Sequence, residues 1–414
     1  MKTYNKYKKI DFDWINMIPE DWEIVHLKRI ATYEKGKNAA KYTNEYVKTN
    51  KGLYPVYSGQ TENEGIMGFI NSYEYDCDGI ITTTVGAKAM TNRIVSGKFS
   101  LSQNCCVIKS ETTNSMYFKY LLDVLFSSER AKIPSHMQPS LRFGDLDKYQ
   151  LIVPSKETQN NIANALSKID SVINSFISQK ESYIRLIKEY KQSRIYELLT
   201  KGIIKNPVLK DSGEQWLGKV PEQWELKKIQ YLFRVVKEIA KEDGHDVLSI
   251  TQEGIKIKDI SKNEGQLSSD YSKYQKVKKG DFAMNHMDLL TGFVDISKYD
   301  GVTSPDYRVF QLTDTKSDPE YMLYLFQMCY ARKIFYPLGR GASQLGRWRL
   351  GIEAFRSFLL PVPQLKEQNE IVSVIKKESN VIDSLITKAE KQIGLIQQYR
   401  QSLIYELVTG RRKP

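Results

Sequence analysis

Residues 192–200 read QSRIYELLT and residues 401–409 read QSLIYELVT, a nine-residue stretch that recurs 209 positions later with seven identities. A second echo opens each half of the chain: PEDWE at 19–23 and PEQWE at 221–225, an offset of 202. The 414-residue chain is therefore a tandem duplication of a unit of about 200 residues, with a seven-residue length difference inside the unit. Solenoids stack several short units, so two long copies point instead to two pseudo-equivalent domains. Two-fold pseudo-symmetry suits a two-fold target, and duplex DNA is the commonest one.

Charge agrees with that target. The net charge is +12 and the pI near 9.1, and cationic side chains that neutralise phosphates release counterions. A hydrophobic content of 41% and a charged content of 27% are ordinary for a globular protein. No apolar run approaches the ~18 residues of a membrane span. The longest, Tyr321–Tyr330, is short and carries Gln327, and the N-terminus MKTYNKYKKIDFDW has no signal-peptide core. Cys77, Cys105, Cys106 and Cys329 form no CxxC pair and no metal-ligand spacing with the histidines. These features imply a reduced, cytoplasmic chain with buried thiols.

Each half divides again. Residues 20–153 and 222–361 carry short β-type runs between turn signals, among them GLYPVYSG (52–59), GIITTTVG (79–86), NCCVIKS (104–110), DVLSITQ (246–252) and YRVFQLT (307–313). Each also has one helical stretch, Ser115–Ser127 and Asp318–Lys333, the second with Pro319 near its start, where the missing donor costs nothing. Pro154 and Pro363 then close a β-like run and precede Gln159–Asn160 and Gln368–Asn369. Beyond them Ile162, Leu166, Ile169, Ile173, Phe176, Tyr183, Ile187 and Tyr190 recur at steps of three and four. Ile371, Ile375, Ile382, Leu385, Ala389, Ile396, Tyr399 and Leu403 do the same in the second copy.

This spacing predicts an apolar seam along two helices, about 157–200 and 366–409, far longer than the dozen residues of an average helix. A long helix with one apolar stripe needs a helical partner, and the repeat supplies it. A pseudo-dyad makes the pair an antiparallel coiled coil. Lys180 stands at the position of Ala389 and Glu378 at that of Ile169, polar interruptions that can set register. The segment 200–213, with Gly202, Pro207 and Gly213, reads as a crossover. The fold class is α+β: two mixed α/β domains separated by two long helices. The boundaries are 1–155 (first domain), 156–205 (first helix and linker), 206–364 (second domain) and 365–414 (second helix).

This organisation resembles the specificity subunit of a type I restriction–modification enzyme. The likeness is carried by the IPEDWE/VPEQWE openings (18–23, 220–225) and the stretches before each helix (137–162, 343–371). The helix endings YELLTKG and YELVTG (196–202, 405–410) and GVTSPDYRVF (301–310) complete it. The resemblance implies two target-recognition domains, each reading half of a split, asymmetric DNA sequence, with the helices fixing the spacing. It also implies two methylation subunits and, through the assembly, restriction subunits as partners. S-adenosylmethionine, ATP and Mg²⁺ belong to those partners, and this chain needs no cofactor. A stand-alone regulator with two reading heads and a non-catalytic adaptor are the rival readings.

Catalytic motifs are missing. DPEY at 318–321 imitates the methyltransferase motif that holds a flipped adenine, but Glu320 replaces its second proline and the segment opens a helix. No P-loop occurs, and GRGASQ (339–344) lacks its lysine. Asp76–Asp78 is a turn signal, and His26, His136, His245 and His286 follow no triad order; His26 reads as a strand residue.

Base reading needs Arg for guanine, Asn or Gln for adenine, and Ser or Thr for either, projecting from loops on a rigid sheet. In the first half these are Ser58, Gln60, Thr61, Lys88, Arg93, His136, Gln138 and Ser140. In the second they are Asn285, His286, Ser304, Arg308, Arg340, Ser343, Gln344, Arg347 and Arg349, the last five converging with Trp348 in 339–349. The two sets differ chemically, so the two half-sites should differ.

Overall fold

The computed structural model describes residues 3–60, 63–259, 270–341 and 348–414. It divides the chain into two units: Met1–Lys180 with Glu390–Pro414, and Glu181–Ala389. Each unit thus holds one mixed domain and a stretch of both long helices, whereas the boundaries read from sequence kept the helices whole.

In the first unit an antiparallel sheet runs in the order Thr32–Lys35, Cys105–Lys109, Gly79–Thr83, Asn92–Val95. Side chains alternate across a strand, and here each face meets a core. Ile80 and Ile108 pack with Tyr117, Phe118 and Leu121 of the helix Ser115–Ala131. Ile81 and Val107 pack on Phe99 and Leu101 on the other side. That helix starts where the Asn114 carboxamide accepts the Met116 and Tyr117 amides, both at 3.0 Å.

The second unit repeats the plan. Phe233–Val236, Arg308–Leu312, Phe282–Met284 and Val294–Ile296 form a sheet of the same order. Phe282 and Phe310 face the helix Pro319–Ala331, while Ala283 and Val309 face a second cluster. Pro319 begins this helix, near the start the sequence predicts, and Asp318 stands just outside it as the cap. The outer portions differ. The first domain adds a four-stranded sheet in which Lys98–Leu101 runs parallel to Lys51–Tyr57. The second has two separate pairs, Leu248–Thr251 with Gly254–Ile257 and Gln275–Val277 with Gly301–Thr303. A common scaffold thus carries two dissimilar outer layers.

The paired Gln–Asn signals serve that scaffold. Gln159 is buried; its carbonyl accepts the Asn114 amide at 2.8 Å and its NH₂ donates to the Pro154 carbonyl at 2.9 Å. Gln368 repeats this at 2.8 Å each with the Asp318 amide and the Pro363 carbonyl. Each glutamine ties the start of a long helix to the cap of the helix in its own domain. Gln159→Ala or Gln368→Ala strands a buried donor and acceptor, at about 1–3 kcal/mol. The unfolding midpoint in urea will fall for each variant, while a control at the exposed Asn161, Asn161→Ala, will stay near wild type.

The long helices span Lys156–Lys201 and Leu365–Val408, 46 and 44 residues. Their segments run antiparallel within each unit. In the first, Arg400 binds Asp170 at 2.8 Å and Asn174 at 3.3 Å, while Leu407 and Val408 share a core with Ile162 and Leu166. In the second, Lys191 binds Asp383 at 2.8 Å and Arg194 reaches both oxygens of Glu378 at 3.0 and 3.3 Å. The polar interruption at Glu378 is therefore half of a bidentate ion pair. The other copy has Ile169 in its place, and Leu403 in place of Arg194.

Not all of the seam is buried. Ile162, Leu166, Ile173, Ile371, Ile375, Ile382, Ala389 and Leu403 are, but Tyr183, Tyr190, Leu385 and Tyr399 are exposed, and Ile386 is buried beside Leu385. The crossover also holds more order than its composition suggests, since Leu209–Asp211 pairs with Lys219–Pro221.

Both helices end at a left-handed glycine, Gly202 (φ 75°) and Gly410 (φ 72°). A Cβ on Gly410 would lie 2.4 Å from Pro19 and 3.2 Å from Trp22; one on Gly202 would lie 2.9 Å from Trp224. The two sequence echoes thus meet in space. The tryptophan of each PE[DQ]WE opening is buried against the glycine that ends a YEL[LV]T helix, Trp22 with Gly410 and Trp224 with Gly202.

Candidate nucleic-acid interface

The residues singled out in the first domain fall into two groups. Arg93 projects from Asn92–Val95 and donates to the Gln60 carbonyl at 2.9 Å; the Gln60 amide donates to Ser58 Oγ at 3.3 Å. The Gln60 carboxamide donates to the Ile66 carbonyl at 2.7 Å. This arrangement needs Gly65, whose φ is 77° and where a Cβ would stand 1.6 Å from the Arg93 guanidinium. Arg93 is half-buried, and its pKa is lowered chiefly by that burial. Thr61 lies outside the described residues.

The second group joins two loops. The Gly86 amide donates to the Pro139 carbonyl at 3.1 Å, Val85 bridges Ser140, and the Leu141 amide donates to the Thr84 carbonyl at 2.7 Å. Lys88, His136, Gln138 and Ser140 are all exposed on these loops. Lys88 is anchored by its backbone, its carbonyl accepting the Thr83 and Thr91 hydroxyls, while the residue itself is exposed.

In the second domain, the Leu350 amide donates to the His286 carbonyl at 3.0 Å, the counterpart of the Leu141–Thr84 bond. His286, Arg308 and Arg349 line one cavity of about 360 Å³ with Lys237, Gln275 and Asp306. Asn285 is bound by its own turn, its side-chain oxygen accepting the Met287 amide at 3.2 Å. Ser304 Oγ accepts the Asp306 amide at 3.3 Å, and the buried Gln275 holds this loop through the Ser304 and Tyr307 carbonyls at 2.8 and 2.7 Å. Arg340 and Arg349 are paired across a short ribbon and exposed. Ser343, Gln344 and Arg347 lie outside the described residues. Trp348 donates to the Tyr336 carbonyl at 2.6 Å and packs where a Cβ on Gly339 would collide with it.

Four side chains stand differently from the expectation of loop-borne readers, Arg340 and Arg349 on the two strands of their short ribbon and two more on the central sheets. Arg93 and Arg308 both arise from strands, and Arg308 is only 6% exposed. Its Nη2 donates to the Leu350 carbonyl at 3.0 Å, and its guanidinium lies 4.6 Å from the Phe355 ring centre. Burial pulls its pKa down to about 10, leaving it charged at neutral pH. Lys237 and Gln275 escaped the sequence reading, because nothing in VVKEI or YQKVK separates them from solvated strand residues.

Among the described residues no group of three or more His, Cys, Asp or Glu is placed to hold a metal ion. Cys105, Cys106 and Cys329 are buried, and burial pushes the Cys105 and Cys106 thiols up to about 12. No helix among the described residues is long and apolar enough to cross a membrane.

The type I restriction modification DNA specificity domain model matches residues 19–185 and again 221–394. The chain belongs to this family, whose specificity subunits are non-catalytic. It is 24% identical to the specificity subunit of a type I restriction enzyme from Methanocaldococcus jannaschii, covering 98% of this chain and 96% of that one. It is 26% identical to a putative type I specificity subunit from Mycoplasma pneumoniae, covering 93% and 98%. Its fold is similar to a chain of a solved type I restriction–modification system at 11% identity, with a TM-score of 0.66 over 95% of this chain and 99% of that one.

Proposed function

We propose that this chain reads a bipartite, asymmetric sequence in double-stranded DNA and directs adenine methylation or restriction by partner subunits in the cytoplasm. The observation that carries this reading is the repeated scaffold with unlike outer layers. Two sheets of one order and two matching helices carry Ser, Gln, Lys, His and one arginine among the described candidates of the first domain, and Asn, His, Ser and three arginines among those of the second. Identical heads would read a palindrome; dissimilar ones read an asymmetric pair of half-sites.

The helices support two copies of one partner. In the first unit Val172, Leu395 and Tyr399 are exposed at 70, 55 and 51%; in the second, Val381, Leu186 and Tyr190 at 57, 58 and 58%. These are the same three positions of the repeat, at the constant offset of 209. Large apolar groups left outside twice over fit two methylation subunits docking alike, with restriction subunits joining through them. S-adenosylmethionine, ATP and Mg²⁺ would act on those partners and not here. Genomic N6-methyladenine mapped with and without the gene tests the reading: a split motif should vanish on deletion, and an unchanged methylome would refute it.

A further inference from the structure

The cavity around Arg308 has a chemistry that reading bases does not require. Its lining residues bring three cationic groups together, Lys237, Arg308 and Arg349, against one carboxylate, Asp306. Arg308 spends Nη2 on the Leu350 carbonyl, while its Nη1 is buried with no hydrogen-bond partner. The His286 ring also lines the cavity, and its Nδ1 is buried without a partner. Burial first, then Arg308 and Arg349, lower the His286 pKa to about 4, so the ring is neutral and adds a hydrogen bond without charge. A buried guanidinium in a cavity that a second arginine also lines is costly unless an anion completes it.

The matching positions of the first domain carry none of these charged or imidazole groups. In the strand register Cys106 stands opposite Thr82 as Arg308 stands opposite Met284, both at the offset of 202. Thr84 accepts the Leu141 amide as His286 accepts that of Leu350, so Ser140 takes the place of Arg349. Cysteine, threonine and serine therefore replace arginine, histidine and arginine.

Resting on the DNA reading above, we propose that Arg308, Arg349 and His286 form a phosphate pocket that seats one backbone phosphodiester of the second half-site, and that the first domain has no equivalent. A neutral base edge would satisfy the hydrogen bonds but leave the charge uncompensated; a phosphodiester oxygen satisfies both. The pocket positions the second head and does not specify a base.

The test uses the full chain with its methylation subunits and duplexes carrying the mapped target. Arg308→Met should weaken binding about tenfold, alike for the target and for duplexes altered in the second half-site, and lower the salt slope by about one. Arg349→Ser, at an exposed position, should act in the same direction more weakly and guards against misfolding of the buried variant. A single methylphosphonate in the second half-site should reproduce the loss in wild type and add nothing to Arg308→Met. A loss confined to one base pair would overturn the assignment, as would an unchanged slope in both variants while wild type still binds selectively. Inorganic phosphate raising the melting temperature of the DNA-free wild type but not of Arg308→Met, with no methylphosphonate effect, would make this a free-anion site and overturn the backbone assignment. A wild-type complex without DNA affinity would remove the functional reading itself, and this inference with it.

Discussion

Replacing residues 20–153 with the matching domain of another family member will change one half of the methylated sequence and leave the other half as it was. Each domain has its own cores: the first is built on Ile80, Ile108 and Tyr117, the second on Phe282, Phe310 and Phe326. Separate cores allow one head to be exchanged without repacking the other. The graft must keep the seams that join a domain to the helices. These are the Trp22 contact with Gly410 and the Gln159 bonds to Asn114 and Pro154, all of which recur in the second copy. The measurement is the methylation motif of the chimera. A change in both halves, with folding intact, would mean that the heads do not read independently.

The second large effect concerns spacing. A heptad inserted into both long helices near residues 180 and 389, where the units divide, keeps the apolar repeat in phase. It adds about 10 Å, close to three base pairs of B-DNA. Three base pairs also rotate a half-site by about 100° around the duplex, so DNA twist or bending absorbs part of the change. The expected motif has the original half-sites and a longer spacer. Active protein that keeps its original spacer would show that the helices do not set it.

The duplication, the helix limits and the sheet-forming runs were legible because each rests on a local rule. Pro154 and Pro363 follow strands, Pro319 opens a helix, and Gly202 turns at the end of one. The partition of the seam was not legible in the same way. A period near 3.5 places Tyr183, Tyr190 and Tyr399 in line with Ile173 and Ile382, yet only the isoleucines are buried. Periodicity gives the angular position of a stripe but not which of two apolar stripes a partner will cover. Candidate residues could be chosen by type but not by setting. Arg308 reads as one more basic residue in SPDYR, and its burial depends on Phe355 and Leu350, more than forty positions away.

The closure of the first unit by the end of the chain also orders events on the ribosome. Glu181–Ala389 is one continuous stretch and has all its parts once it has emerged. Met1–Lys180 does not, because Leu407 and Val408 belong to its core and Gly410 covers Trp22. Nascent domains ordinarily finish in the order they are made. Here the domain synthesised first is completed last, and its tryptophan, already packed on Tyr4, lacks its contact with Gly410 until the final turn of the second helix is released.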